Sequence, residues 1–158
     1  VATTLENLGR LQLIEGDRAG ARALLERVLK IREARLPADH PDVATILDSL
    51  GTLSHRMGDT ARALDFYRQI MQKPDEALYL KARLNIGELL FLRQEYEPAA
   101  REFSRVAFSD SRDDVIYERA LYRAALSFRA IKKNTEFESF RTKLREAFPQ
   151  SQYLKELE

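Results

Sequence analysis

The sequence predicts an all-α fold, a right-handed α-solenoid of about four helix-turn-helix units with a short C-terminal capping helix. Three observations carry that expectation. One segment recurs at a fixed offset, and the apolar residues inside each copy fall at helical spacing. No stretch sustains the apolar–polar alternation of a half-buried strand.

Placing Val1–Ala21 above Val43–Ala63 brings Val1/Val43, Ala2/Ala44, Leu5/Leu47, Leu8/Leu50, Gly9/Gly51, Gly16/Gly58, Asp17/Asp59 and Ala21/Ala63 into register at an offset of 42. Chance does not align so many glycines and leucines at one offset. A third copy carries Leu84-Asn85-Ile86-Gly87, with Gly87 standing 36 residues after Gly51, and continues through Tyr96, Ala99, Phe103 and Val106. The fourth, Ala120–Ser151, is degenerate: Ala125 takes the glycine's place 38 residues after Gly87, and Phe137 replaces the small residue. The repeats are expected near 1–42, 43–78, 79–113 and 114–149, followed by a helix in 150–158, all in one array over 1–158.

The elements follow in order. Leu5, Leu8, Leu11 and Leu13 mark a helix over 2–15, broken by Gly16-Asp17. Ala21, Leu24, Leu25, Val28 and Leu29 recur at i, i+3, i+4, i+7 and i+8 in a second helix over 18–36. The same pairing predicts helices over 42–57, 60–72, 75–93, 96–108, 114–131 and 135–147, and a short one from 151. Pro41 and Pro74 suit a first helical turn, where the missing N–H costs nothing. Ser111 with Asp114, and Thr135 with Glu138, read as capping boxes, and Pro149 ends the eighth helix. Gly9, Gly51, Gly87 and Ala125 on the first helices, with Ala21, Ala63 and Ala99 on the second, let paired helices approach closely. A larger side chain there would cost roughly 1–3 kcal/mol by overpacking. Each tight pair leaves an apolar edge that the next pair covers, which makes a solenoid.

Composition narrows the function. With 26 Lys and Arg against 25 Asp and Glu, the chain has no global bias towards nucleic acid or a membrane surface. It has no Cys, which excludes a disulfide, a thiolate metal site and a cysteine nucleophile. No apolar run approaches the roughly 18–20 residues that span a bilayer. His40 lies in a linker beside Pro41, His55 has no second ligand at metal spacing, and the glycines never cluster as a phosphate cradle. The acids are spread along helices among Arg and Lys, as on a solvated face. No catalytic residue, cofactor or metal site is expected. Because Val43 follows a linker and Val1 aligns with it, the chain reads as a segment of a longer protein with a further repeat upstream. The expected compartment is the cytoplasm, with the periplasm the alternative.

Leu-Gly on the first helix, Gly-Asp at the turn, and Ala followed by Tyr67 or Phe103 on the second resemble the tetratricopeptide repeat. The linker from Leu36 to Ala44 is similar to the 42-residue variety of kinesin light chains and many large bacterial signalling proteins. The last two units resemble the ordinary bacterial repeat, the fourth closing on Phe148-Pro149. The resemblance implies a scaffold that binds a peptide or protein partner in a concave groove lined by the first helices. Those positions are Asn7, Arg10 and Ile14; Asp48, Thr52, His55 and Arg56; Lys81, Asn85, Glu88 and Phe91; and Arg119, Tyr122, Arg123, Leu126 and Arg129. Other readings it allows are the docking arm of a larger signalling enzyme (a kinase or protease) and a periplasmic envelope-assembly adaptor.

Two readings of the groove stand side by side. In one, Asn7 and Asn85 hydrogen-bond a peptide backbone, Arg119 and Arg123 grip its carboxylate, and Tyr122 and Phe91 add apolar contact. Asn85, Arg119 and Arg123 are placed like part of the carboxylate clamp of chaperone-binding members. Asp48 and Thr52 stand where those members carry Lys and Asn, and Asp48 would repel a carboxylate. The partner is then an acidic or mixed-charge peptide, with neither nucleic acid nor membrane involved. In the other reading the arginines are a solvated helix face. Phe137, Phe140, Leu144 and Phe148 give the last long helix an apolar face. Tyr153, Leu154 and Leu157 are placed to cover it; left bare, it would drive self-association.

Overall fold

The computed structural model describes residues 2–37, 39–72, 76–110 and 113–158; the side chains of residues 2, 3, 6, 10, 76 and 77 lie outside that description. It contains α1 (Ala2–Glu15), α2 (Arg18–Glu33), α3 (Pro41–Arg56), α4 (Thr60–Ile70), α5 (Glu76–Leu92), α6 (Tyr96–Ala107), α7 (Asp114–Ala130) and α8 (Asn134–Ala147). A C-terminal 3-10 helix, Gln152–Leu157, follows. Among the described residues there is no strand. The chain divides into two compact halves, Val1–Ala82 and Arg83–Glu158.

Each helical pair is joined by the same turn. The N–H of Asp17, Asp59, Glu95 and Lys133 donates to the carbonyl five residues earlier, on Gln12, Ser54, Leu90 and Phe128, at 2.8–2.9 Å. That bond closes a helix through one left-handed residue. The residue is Gly16 (φ 86°) or Gly58 (φ 80°) in the first two turns, but Gln94 (φ 63°) and Lys132 (φ 58°) in the last two. Asp17 and Asp59 then cap the next helix, accepting from the N–H of Gly20 at 2.9 Å and of Arg62 at 3.2 Å. Glu95 and Lys133 make no side-chain cap.

Several helix ends differ from the sequence expectation. Helix α2 stops at Glu33 rather than residue 36, because Leu36 precedes Pro37 and is steered away from helical ψ. Pro41 opens α3 as expected, with His40 Nδ1 accepting from the N–H of Asp42 at 3.2 Å. The cap of α7 is Asp113, whose carboxylate takes the N–H groups of Val115 and Ile116; Ser111 lies outside the described residues, as does Pro74. Helix α8 starts at Asn134, so Thr135 is already helical and caps nothing.

In the N-terminal half α1 packs on α2, α2 on α3 and α3 on α4, around Val28, Val43, Leu47, Leu50 and Ile70. The apolar run of α1 departs from the core reading. Leu8 and Leu11 are 45% and 49% exposed, whereas Leu50 and Leu53, which stand 42 residues later, are 0% and 3%. Helix α2 covers that face of α3, and no described element covers it on α1. In the C-terminal half α6 packs on α7 and α7 on α8, with the 3-10 helix laid against α7 and α8. Phe103, Leu121, Leu144 and Leu157 are fully buried there, so Tyr153, Leu154 and Leu157 do cover the apolar face of α8.

Candidate functional site

The C-terminal half concentrates the charged chemistry. Helix α5 presents Asn85, Glu88 and Phe91 one turn apart, and α7 presents Arg119, Tyr122 and Arg123. Packing brings Glu88, 31 and 35 residues from the two arginines, between them. Its Oε1 accepts from Arg119 Nε at 2.8 Å and Arg123 Nε at 3.0 Å, and its Oε2 from Arg123 Nη2 at 2.9 Å. Glu88 is only 8% exposed. A carboxylate so enclosed is stabilised only if its lone pairs are engaged, and the guanidinium groups engage them.

The two arginines, equivalent in the sequence, therefore differ in kind. Arg123 grips both oxygens of Glu88, and its guanidinium lies 5.1 Å over the ring of Phe91 and 5.7 Å from that of Tyr122. Arg119 meets Glu88 through Nε, and its side chain is 48% exposed. Among the described residues Glu88 is the one ion-pair partner of Arg119, and the half-buried Asn85 makes no side-chain hydrogen bond. Glu88 is thus an internal partner of both arginines, and it meets Arg123 through both of its oxygens.

Tyr122 and Arg129 also make contacts within the fold. Tyr122 is 8% exposed; its ring stacks at 4.3 Å and 14° on Tyr153, and its hydroxyl donates to the carboxylate of Glu156. Burial, then the Glu156 carboxylate, pushes the Tyr122 phenol up to about 12. Arg129 donates from Nη1 to the backbone carbonyl of Glu156 at 3.2 Å and lies over the ring of Phe137. Tyr122 is thereby covered by the 3-10 helix, whereas Arg129 stays exposed while touching it. Leu126 packs against the core cluster, and Phe91 meets the edge of Tyr96 at 5.1 Å.

In the N-terminal half, Asp48, Thr52, Arg56 and Lys81 line a shallow depression of about 300 Å³ floored by Leu13, Leu25 and Leu53. Lys81 Nζ lies 2.7 Å from Asp48 Oδ2, so the pair is neutral as a unit and Asp48 is not a lone repelling charge. Thr52 and Tyr67 share a hydroxyl hydrogen bond of 3.3 Å. His55 and Arg56 are exposed at the end of α3, and Asn7 is exposed on α1 beside the strongly exposed Ile14. The Arg10 side chain lies outside the described residues. Glu88 as counter-ion and Glu156 as the partner of Tyr122 are the features that residue spacing alone does not reveal. Both depend on pairings more than thirty residues apart.

Among the described residues no helix is long and apolar enough to cross a membrane. No curated protein matches the chain at a significant level. Solved structures match it closely in fold at low identity. A putative kinesin light chain with nearly identical repeats from Podosopora anserina aligns with a TM-score of 0.74 and 16% identity, over 96% of this chain and 76% of that one. A tetratricopeptide repeat protein from Parabacteroides merdae gives 0.81 and 18%, over 99% and 57%. The pilF protein of Pseudomonas aeruginosa gives 0.66 and 19%, over 99% and 65%. The chain thus spans less than two thirds of the length of the last two. The family model for the tetratricopeptide repeat matches residues 1–73. Over those residues the chain matches the tetratricopeptide repeat model, and over nearly its whole length it has the fold of solved tetratricopeptide repeat proteins.

Proposed function

We propose that the chain is a protein-interaction module, and that its C-terminal half takes an acidic peptide segment through Arg119 and Asn85. The tetratricopeptide repeat in general is a scaffold for protein partners, and a scaffold says little about which partner it holds. The observation that carries the reading is the asymmetry of the arginine pair. Arg123 meets both oxygens of Glu88 and lies over Phe91 with its side chain 25% exposed, while Arg119 meets Glu88 through Nε and its side chain is 48% exposed. A cation held on one side and open on the other is pre-organised for a carboxylate, so less side-chain freedom is lost on binding. Asn85, one turn before Glu88, adds a donor and an acceptor for a peptide backbone.

The test is fluorescence anisotropy with labelled decapeptides of acidic, neutral and basic composition. The acidic peptide binds most tightly, and Arg119→Ala weakens it by about tenfold, the worth of one charge-assisted hydrogen bond. The melting temperature stays within a degree or two, because Arg119 is half exposed. Arg123→Ala is unsuitable for this purpose, since it strips the buried Glu88 of its main partner. Equal affinity for all three peptides, or an unchanged affinity in Arg119→Ala, would overturn the assignment.

A further inference from the structure

The pair Arg119 and Arg123 carries two positive charges, and Glu88 between them returns one negative charge inside the fold. The cluster that remains at the surface has a net charge of +1. Among the described residues no further charged side chain forms an ion pair with it, and the Glu156 carboxylate is engaged by the Tyr122 hydroxyl. The three contacts at 2.8–3.0 Å consume both oxygens of Glu88, all that Arg123 directs towards α5, and the Nε of Arg119. What is left for a partner is the exposed side of Arg119, whose side chain is 48% exposed and whose guanidinium suits the oxygens of one carboxylate.

We infer that Glu88 is the selectivity residue of this site: by cancelling one arginine charge it tunes the surface for a singly charged carboxylate over a doubly charged phosphate. The inference rests on the reading that Arg119 receives an acidic peptide. Its physical basis is charge matching. A carboxylate neutralises the +1 cluster, whereas a phosphate, at about −1.5 to −2 near neutral pH, leaves excess negative charge beside the enclosed Glu88 carboxylate. Glu88 touches no ligand in this scheme. It acts through the arginines, as a positioning and charge-setting residue.

Two labelled decapeptides, identical except for Glu or phosphoserine at one central position, test the idea by anisotropy against the wild type, Glu88→Gln and Arg119→Ala. In the wild type the Glu peptide binds at least as tightly as the phosphoserine peptide. In Glu88→Gln the cluster rises to +2, and affinity for the phosphoserine peptide increases by about tenfold, reversing the preference. A merely structural Glu88 would instead leave both affinities equal or lower. Glu88→Met, which fills a similar volume without a hydrogen-bonding demand, repeats the comparison if the Gln variant loses helical circular dichroism. Wild-type binding of the Glu peptide with no phosphoserine gain in either variant overturns the role of Glu88 alone. Binding of neither peptide by any folded protein overturns the acidic-peptide reading and this inference together.

Discussion

The Cα of Gly87 lies directly beneath the ring of Phe103: a Cβ built there would fall 2.6 Å from Cε1. Gly51 stands in the same relation to Tyr67, also at 2.6 Å. In each case the ring is sixteen residues downstream. At Gly9 the residue sixteen on is Leu25, and an added Cβ would meet nothing nearer than 3.7 Å. At Ala125 it is Arg141, which turns away to Glu138 and lies over Phe137. The glycine is thus demanded by an aromatic partner, not by close backbone approach. Phe103 and Tyr67 are 0% and 2% exposed and have no room to retreat. Gly87→Ala and Gly51→Ala are expected to destabilise by roughly 1–3 kcal/mol in urea melts. Gly9→Ala is expected to be neutral or stabilising by up to about 1 kcal/mol. Phe103→Leu should cost less in a Gly87→Ala background than alone, a coupling that a double-mutant cycle reads directly.

The four interhelical turns place a left-handed residue at the same position, and two of the four lack glycine there. Gln94→Gly and Lys132→Gly are expected to stabilise by about 0.5–1 kcal/mol, since relief of the Cβ clash exceeds the entropy lost by a flexible residue. Gly16→Ala and Gly58→Ala should destabilise by about 1 kcal/mol. A Gly58→Ala variant as stable as the wild type would refute the strain argument.

Asp59 both caps α4 and lies 3.6 Å from Arg62 and 3.9 Å from Arg22. Those ion pairs are solvent-exposed and contribute little. Asp59→Asn, which keeps the capping oxygen and removes the charge, should therefore stay within about 0.5 kcal/mol of wild type, while Asp59→Ala loses about 1 kcal/mol. Equal losses in thermal melts would assign the effect to charge instead.

Alkaline stability carries the signature of Tyr122. Its phenol is pushed up to about 12 in the fold against 10.0 when free, so the folded state holds its proton longer than the unfolded chain. The stability linked to this group is fully present below pH 10 and declines as pH rises from 10 through 12. Tyr122→Phe removes that component, so its loss of stability between pH 9 and 12 should be shallower than that of the wild type. Parallel pH profiles would show that Tyr122 is not the group responsible.

Reading the residues alone locates the helices within one to three positions, because each boundary depends on neighbours: a proline four residues past Glu33, a proline at the start of α3, a left-handed residue after each first helix. The errors are equally local. Thr135 has capping-box spacing, yet the turn at Lys132 starts α8 a residue earlier, at Asn134. The candidate site was legible only as a set of positions on one face of each first helix. Its division into engaged and open groups was not.

The amino-acid sequence by itself determined the repeat, the helical pairs and their turns, since these obey hydrogen bonds and sterics that reach four or five residues along the chain. Only the tertiary structure decided that Glu88 pairs with Arg123, that Lys81 answers Asp48, that the 3-10 helix shelters Tyr122, and that the Arg119 side chain stays half exposed. Those outcomes turn on which charges packing brings within about 3 Å of each other from more than thirty residues away, a matter of side-chain geometry in three dimensions that periodicity does not encode.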